Sequence, residues 1–422
     1  MRARRWPWMT RIAVACAPLA VGCASVPFDT EGTGGSLLWY TYKHEESVSV
    51  FTDLYVDANM SWDPTIPVVA GFPGSFAASV APDGPAWEPR TLAVLAPPRT
   101  VRVSDERAFT RVDARVPMKG RARLDLGKVR MPIRVRTPAR WVLVPALTGP
   151  SEMVGDLRLS AQAPAYGDRV RVLAGNRVEV GVAVRDARNR PLGWAGRCAF
   201  TASNPAFALV PHERCSVSVT APETGTNDLG VRVTWKPHAF GADAPDLATL
   251  DLHTVTSPWS VTTVPSTDLA SLTSVQLLRD TGGLFDMFME PSPSATPGGE
   301  PVEPPRAEAA LYHLQGAMVD GAPVALSEVA WTATGARVYA WTDALEAFMA
   351  EYAAAKERHA QLPDDAPRPD WSAAFRSHLA RRAPDPRQAA GSNVVIVLLD
   401  TPGKPATLTY TAAGRTGTVT VK

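Results

Sequence analysis

Apolar and polar positions alternate through most of the chain, most cleanly between Arg169 and Trp235. Arg169-Val-Arg-Val-Leu173 and Arg177-Val-Glu-Val-Gly-Val-Ala-Val184 put an apolar residue at nearly every second place, the period of a strand with one buried face. A turn-rich segment follows, Arg185-Asp-Ala-Arg-Asn-Arg-Pro-Leu192, then Cys198-Ala-Phe-Thr-Ala-Ser-Asn-Pro205, Cys215-Ser-Val-Ser-Val219 and Leu229-Gly-Val-Arg-Val-Thr-Trp235. Short strands at about eight to twelve residue spacing, punctuated by turns, predict a β-sandwich.

Upstream, the alternation predicts strands at Ser47-Val-Ser-Val-Phe51, Thr100-Val-Arg-Val103, Arg121-Ala-Arg-Leu-Asp-Leu126 and Val129-Arg-Met-Pro-Ile-Arg-Val135. The outward positions of the last two carry Arg121, Arg123, Lys128, Arg130, Arg134 and Arg136. Such a stripe reads first as a solvated face that resists edge pairing, with Asp105, Glu106 and Asp113 near in sequence. Lipid head groups, an anionic glycan or a protein are its functional alternatives. Trp39, Tyr40 and Tyr42 read as core plus rim, with a sugar-stacking platform as the alternative.

Downstream, residues 290–305 are Pro-rich and poor in large apolar groups, an exposed disordered insert. The earlier pattern then returns. Val319-Asp-Gly-Ala-Pro323 and Val329-Ala-Trp-Thr-Ala-Thr334 parallel the turn before Pro191 and the stretch from Cys198, an internal repeat with Phe200 and Trp331 at the sandwich centres. One helical stretch interrupts it. Asp343 is an N-cap with Glu346 three places on, and Leu345, Phe348, Met349 and Tyr352 form one apolar face. After a Pro/Asp turn, Trp371, Phe375 and Leu379 form another. A helical hairpin over 343–382 is expected, with Phe348, Tyr352, Trp371 and Phe375 as candidate interaction residues, because insertions on rigid scaffolds often carry binding. Simple burial of that face on the sandwich is the plainer alternative.

The order of signals resembles the bacterial immunoglobulin-like (Big-type) domains of envelope proteins. Gly403-Lys-Pro-Ala-Thr-Leu-Thr-Tyr410 and Gly417-Thr-Val-Thr-Val421 resemble the ending of those domains. The resemblance covers about half of the chain, and it implies a mainly β fold of tandem immunoglobulin-like sandwich modules, the last carrying the helical hairpin. Ala20-Val-Gly-Cys23, after a basic start and a short apolar run, resembles a bacterial lipobox. That implies lipidation at Cys23, with a palmitate-type anchor in the outer membrane or at the cell surface and the periplasmic side as the other placement. An ordinary signal peptide is the alternative. Leu19 stands four places before the cysteine, where the family prefers three. The expected division is a signal peptide over 1–23, a flexible tether over 24–36, a β-rich region over 37–145, a sandwich over 146–256 and a sandwich with inserts over 257–422.

Composition narrows the picture. The 39 prolines among 422 residues favour β-modules and linkers over helical bundles. Losing the leader's four arginines takes the formal charge from +1 to −3, which gives no reason to expect nucleic acid or an acidic surface as a partner. Cys198 and Cys215 remain in an exported context, and a bridge between the two sheets is expected, contributing about 3 kcal/mol. No phosphate loop, zinc motif, nucleophile elbow or calcium loop occurs in the sequence. His313, His359 and His378, with Glu351 and Glu357, read as solvated residues rather than a metal or acid–base site. The chain is expected to bind an envelope protein or glycan and to need no metal or cofactor, not to act as an enzyme. An envelope assembly docking through the insert, or an enzyme capped by it, is the alternative.

Overall fold

The computed structural model describes residues 36–41, 47–79, 91–146, 166–236, 250–277, 309–341, 371–381 and 393–421, without 59, 63, 64, 105, 106, 127, 128, 213, 256–258 and 402. Between 342 and 355 it describes 344, 347, 348, 351, 354 and 355. Cys23, the tether up to residue 35, the insert 290–305, His359 and Glu357 lie outside the described residues.

Strands dominate, because valines recurring at every second place bury one side of each and leave the other polar. The first set is β1 (Ser36–Thr41), β2 (Ser47–Thr52), β3 (Tyr55–Asp57), β4 (Met60–Ser61), β5 (Val68–Val69), β6 (Pro73–Ser79), β7 (Ala93–Ser104), β8 (Arg107–Arg115), β9 (Arg121–Leu126) and β10 (Val129–Arg136). One sheet runs β1-β2-β6-β8-β7 and the other β5-β10-β9, with β5 parallel to β10. From β2 onward this is the immunoglobulin order A-B-E-D facing F-G, with β5 as a split-off A strand beside G. Residues 80–90, where strand C of that order would fall, are outside the described residues. Leu54, Phe76, Val112, Leu124, Ile133 and Val135 fill the space between the sheets.

The order recurs. The second set is β11 (Arg140–Pro145), β12 (Arg169–Leu173), β13 (Arg177–Arg185), β14 (Pro191–Leu192), β15 (Arg197–Ala202), β16 (Ala208–His212), β17 (Ser216–Thr220), β18 (Thr226–Trp235), β19 (Leu250–Val255) and β20 (Ser260–Val264). Sheet β11-β13-β17-β16 is A-B-E-D, and β15-β18-β20-β12 is C-F-G with a parallel A-type strand at its edge. The chain pairs β11 with β13 across position 145, where the sequence pattern alone ends its first region.

The third set is β21 (Leu269–Leu277), β22 (Ala309–Met318), β23 (Pro323–Ala325), β24 (Ala330–Thr334), β25 (Ala336–Ala340), β26 (Val394–Leu399), β27 (Ala406–Ala412) and β28 (Arg415–Val421). Its sheets β21-β22-β26-β25 and β24-β27-β28 again give A-B-E-D and C-F-G. Trp331 lies opposite Tyr410 in register and meets its ring at 5.7 Å. Gly417 faces the same ring, and a Cβ there would lie 2.6 Å from it. Trp331 is buried as expected, whereas Phe200 is only partly buried and Trp194 holds the interior of the second sandwich.

Trp341, Ala344, Ala347, Phe348, Glu351, Ala354 and Ala355 are helical, and helix α1 (Trp371–Arg381) follows before β26. The Tyr339 hydroxyl donates to Leu379 O at 2.6 Å and Arg337 Nη1 to Ala380 O at 3.0 Å, so β25 satisfies carbonyls that the helix end leaves open.

The second and third sandwiches share one sheet. β12 pairs in parallel with β23, which makes the ladder β15-β18-β20-β12-β23-β22-β26-β25 continuous. Asn176 closes the joint: its Oδ1 accepts from Ser327 N and Glu328 N, both at 2.9 Å, and Ser327 Oγ accepts from Arg177 N at 2.9 Å. Leu173, Leu269 and Val324 bury against one another there.

Candidate functional site

The chain between β2 and β5 leaves its own sandwich and joins the next. Tyr55 and Trp194 exchange both backbone hydrogen bonds at 2.9 Å, Val69 N donates to Gly193 O at 2.9 Å, and Gly193 N donates to Pro67 O at 2.8 Å. Trp194 stacks edge-on with Trp141 at 5.0 Å and tilts against Tyr55 at 4.8 Å, while its Nε1 donates to Val56 O at 3.2 Å. Gly193 is required by this approach, since a Cβ there would fall 2.1 Å from the Trp62 ring. Trp235 Nε1 donates to Asp53 Oδ2 at 2.9 Å and Ser75 N to Asp53 Oδ1 at 2.7 Å. Burial, outweighing those two bonds, pushes the Asp53 carboxyl up to about 7. Beside it, buried Arg111 donates through Nε to Asp113 Oδ1 at 2.9 Å.

The same junction leaves a cleft of about 400 Å³ between the two sandwiches, lined by Met118, Lys119 and Arg136 from the first and by Asp186, Arg188 and Arg190 from the second. The second wall is the turn joining β13 to β14. Asp186 N donates to Arg190 O and Asn189 N to Asp186 O, with Asn189 at φ 62°, the left-handed position of a three-residue hairpin loop. Asp186 Oδ1 also accepts from Arg188 N and Arg190 N, each at 2.9 Å. Arg190 Nη2 and Nε donate to Oδ2 at 2.7 and 2.9 Å, and these Arg190 contacts hold the carboxyl down at about 2.

The one carboxylate in the lining is therefore committed to its own turn. The side chains of Lys119, Arg136 and Arg188 are exposed and have no ion pair among the described residues. The predicted basic stripe runs out from this cleft. Arg121 and Arg134 are exposed, and their backbones pair directly across β9 and β10, a like-charge apposition that costs stability. Arg123 is half-buried, while the side chains of Lys128 and Arg130 lie outside the described residues. Asp113, near in sequence, is buried against Arg111 and offers the stripe no counter-charge; Asp105 and Glu106 lie outside the described residues.

Cys198 and Cys215 form a disulfide. It ties β15 of one sheet to the start of β17 in the other, the expected inter-sheet bridge. Phe348 and Phe375 are both buried, with ring centroids 4.8 Å apart, so each faces its neighbour helix rather than solvent. Tyr352 and the Trp371 side chain lie outside the described residues, as do the side chains of Trp39 and Tyr40 and all of Tyr42. His378 Nδ1 meets Glu351 Oε2 at 2.7 Å, and Arg381 Nη2 donates to Glu351 Oε1 at 2.8 Å. His313 is not with them: it lies buried on β22, where desolvation pushes its imidazole down to about 4. Among the described residues no group of three His, Cys, Asp or Glu could hold a metal ion, and no helix is long and apolar enough to cross a membrane.

The sequence shows the cationic strands and the turn over 185–192 separately, and nothing in it places one opposite the other. The signal for the cationic character of that turn was Asp186 followed by Arg188, Asn189 and Arg190, a turn-former set among arginines.

No family model matches the chain, and no curated protein does. Among solved structures it is similar to domains 5–6 of the S-layer protein SbsC, at 14% identity over 60% of this chain and 92% of that one, TM-score 0.26. It is also similar to the Yersinia pseudotuberculosis adhesin InvE (16% identity, 61% of this chain and 56% of that one, TM-score 0.17) and to the Escherichia coli adhesin FdeC (11%, 83% and 90%, TM-score 0.18). The fold rests on the strand pairings above, not on these likenesses.

Proposed function

We propose that this is an exported, lipid-anchored envelope protein that works by binding and spacing rather than by turning over a substrate. The observation that carries this reading is the fusion of successive sandwiches by strand pairing and buried hydrogen bonds, which makes them a stiff mount for a binding surface. The inter-sheet disulfide fits an oxidising compartment, and Ala20-Val-Gly-Cys23 supplies the lipidation signal. With two or more acyl chains such an anchor is stable.

A second reading places docking on the helical insert between β25 and β26, taken as a hairpin over 343–382. The bonds from Tyr339 and Arg337 to α1 support a fixed orientation for it. Two measurements test these readings. Radioactive palmitate is expected to label the intact protein and not Cys23→Ala; equal labelling removes the anchor. Affinity capture from crosslinked envelopes is expected to recover the same partners with the intact protein and with a version whose residues 343–382 are replaced by a short Gly/Ser loop. Partners lost with the insert would favour the second reading, and no partner from either would remove both.

A further inference from the structure

We propose that the cleft between the first two sandwiches, continued along the Arg121 and Arg134 face, binds an acidic polysaccharide whose sugars carry carboxylate or phosphate groups. The inference rests on the reading of the chain as an envelope binding protein and names the chemistry of its ligand. Lys119, Arg136 and Arg188 line one concavity from two different sandwiches, and Asp186, its only carboxylate among the described residues, already accepts from Arg190 and two backbone amides. Among the described residues the cations therefore have no uncommitted counter-charge within the cleft. Keeping Arg121 directly opposite Arg134 is unfavourable in the free protein and is relieved by an anion bridging them. Guanidinium groups pair in a planar fork with carboxylate or phosphate.

The shape selects among anionic partners. A cleft of about 400 Å³ is of the size that holds a small ligand or a sugar unit. A flat bilayer would reach the exposed strand face but not a recess between two rigid bodies. A chain with regularly spaced anions engages both: Arg136 lies two residues beyond Arg134 on the outer face of β10, and Lys119 lies two residues before Arg121. The overall charge of +1 conceals this local excess.

The test measures binding of polygalacturonate to the full chain by calorimetry, with dextran as the neutral chain and phosphatidylglycerol vesicles as the lipid arm. The combined variant Lys119→Ser, Arg136→Ser and Arg188→Ser is expected to weaken polygalacturonate binding about tenfold, and raised salt to weaken it for the native chain. Lys404→Ser with Arg169→Ser, exposed cations elsewhere, should leave binding unchanged. Arg136→Lys alone should retain most of it. Asp186 and Arg190 are left intact because they hold the turn, and an unchanged melting temperature checks that the triple variant folds. Equal binding by native and triple variant, or binding of vesicles without polygalacturonate, overturns the proposal. Absence of polygalacturonate binding while envelope partners are still captured removes this inference and leaves the binding-protein reading standing.

Discussion

At the scale of single residues, the junction of the first two sandwiches is built on polar groups placed where water cannot reach. Asp53 holds its proton to about pH 7 in the folded chain, whereas an unfolded aspartate releases it near 4. The folded state therefore binds the extra proton, so this group's contribution is complete below about pH 4 and is lost as pH rises through 7. Urea unfolding should show a less stable junction at pH 8 than at pH 5.5. Asp53→Asn should flatten that slope and lower stability by about 1–3 kcal/mol, because Ser75 N and Trp235 Nε1 donate to different oxygens of Asp53 and the amide replaces one of these with an NH2 that only donates. His313 works in the opposite sense in the third sandwich. Its neutral form is favoured inside, so its contribution is present above about pH 6.5 and is lost as pH falls toward 4. Trp194→Ala should cost about 3–5 kcal/mol, since the ring meets Tyr55 and Trp141 and Nε1 bonds Val56; thermal melting followed by tryptophan fluorescence would read it.

At the scale of elements, the repeated hairpin that follows the B strand of each later sandwich, β13 and β22, is the most legible feature of the sequence. Asp186-Ala-Arg-Asn-Arg190 and Met318-Val-Asp-Gly-Ala322 close with the same pair of backbone bonds, and the left-handed position is Asn189 in one and Gly321 in the other. Both residue types tolerate that conformation, so turn chemistry shows through the differing neighbours. The disulfide was legible for a similar reason, two inward-facing cysteines in short alternating runs. What stayed hidden depends on pairing between distant segments. Nothing local in Tyr55-Val-Asp57 indicates that it will bond to Trp194, and β12 and β23 lie about 150 residues apart, beyond what periodicity can reveal. The cleft shares this origin, because each wall is an ordinary turn or strand end until the sandwiches meet. Asn176→Ala tests the second joint. It leaves Ser327 N and Glu328 N without their acceptor and should lower stability by about 2–3 kcal/mol, with cleavage by a low dose of protease appearing between β20 and β22.

At the scale of the whole molecule, one immunoglobulin order of strands recurs among the described residues, with A, B, D, E, F and G in the first copy and C as well in the second and third. Because the second and third copies share a sheet, nuclear spin relaxation should report a single tumbling time for both, and Asn176→Ala should split it. The disulfide between Cys198 and Cys215 has a further meaning once the protein is regarded as a mechanical link between a surface and whatever it holds. Tension on the chain ends cannot lengthen the 17 Cα–Cα steps between the bonded cysteines, even after every strand around them has parted. At about 3.4 Å per residue that withholds roughly 60 Å of contour from the second sandwich. Stretched singly in a force spectrometer, the oxidised protein should show one unfolding step shorter than the others, restored to full length by a reducing agent. A chain so clamped yields less slack under load.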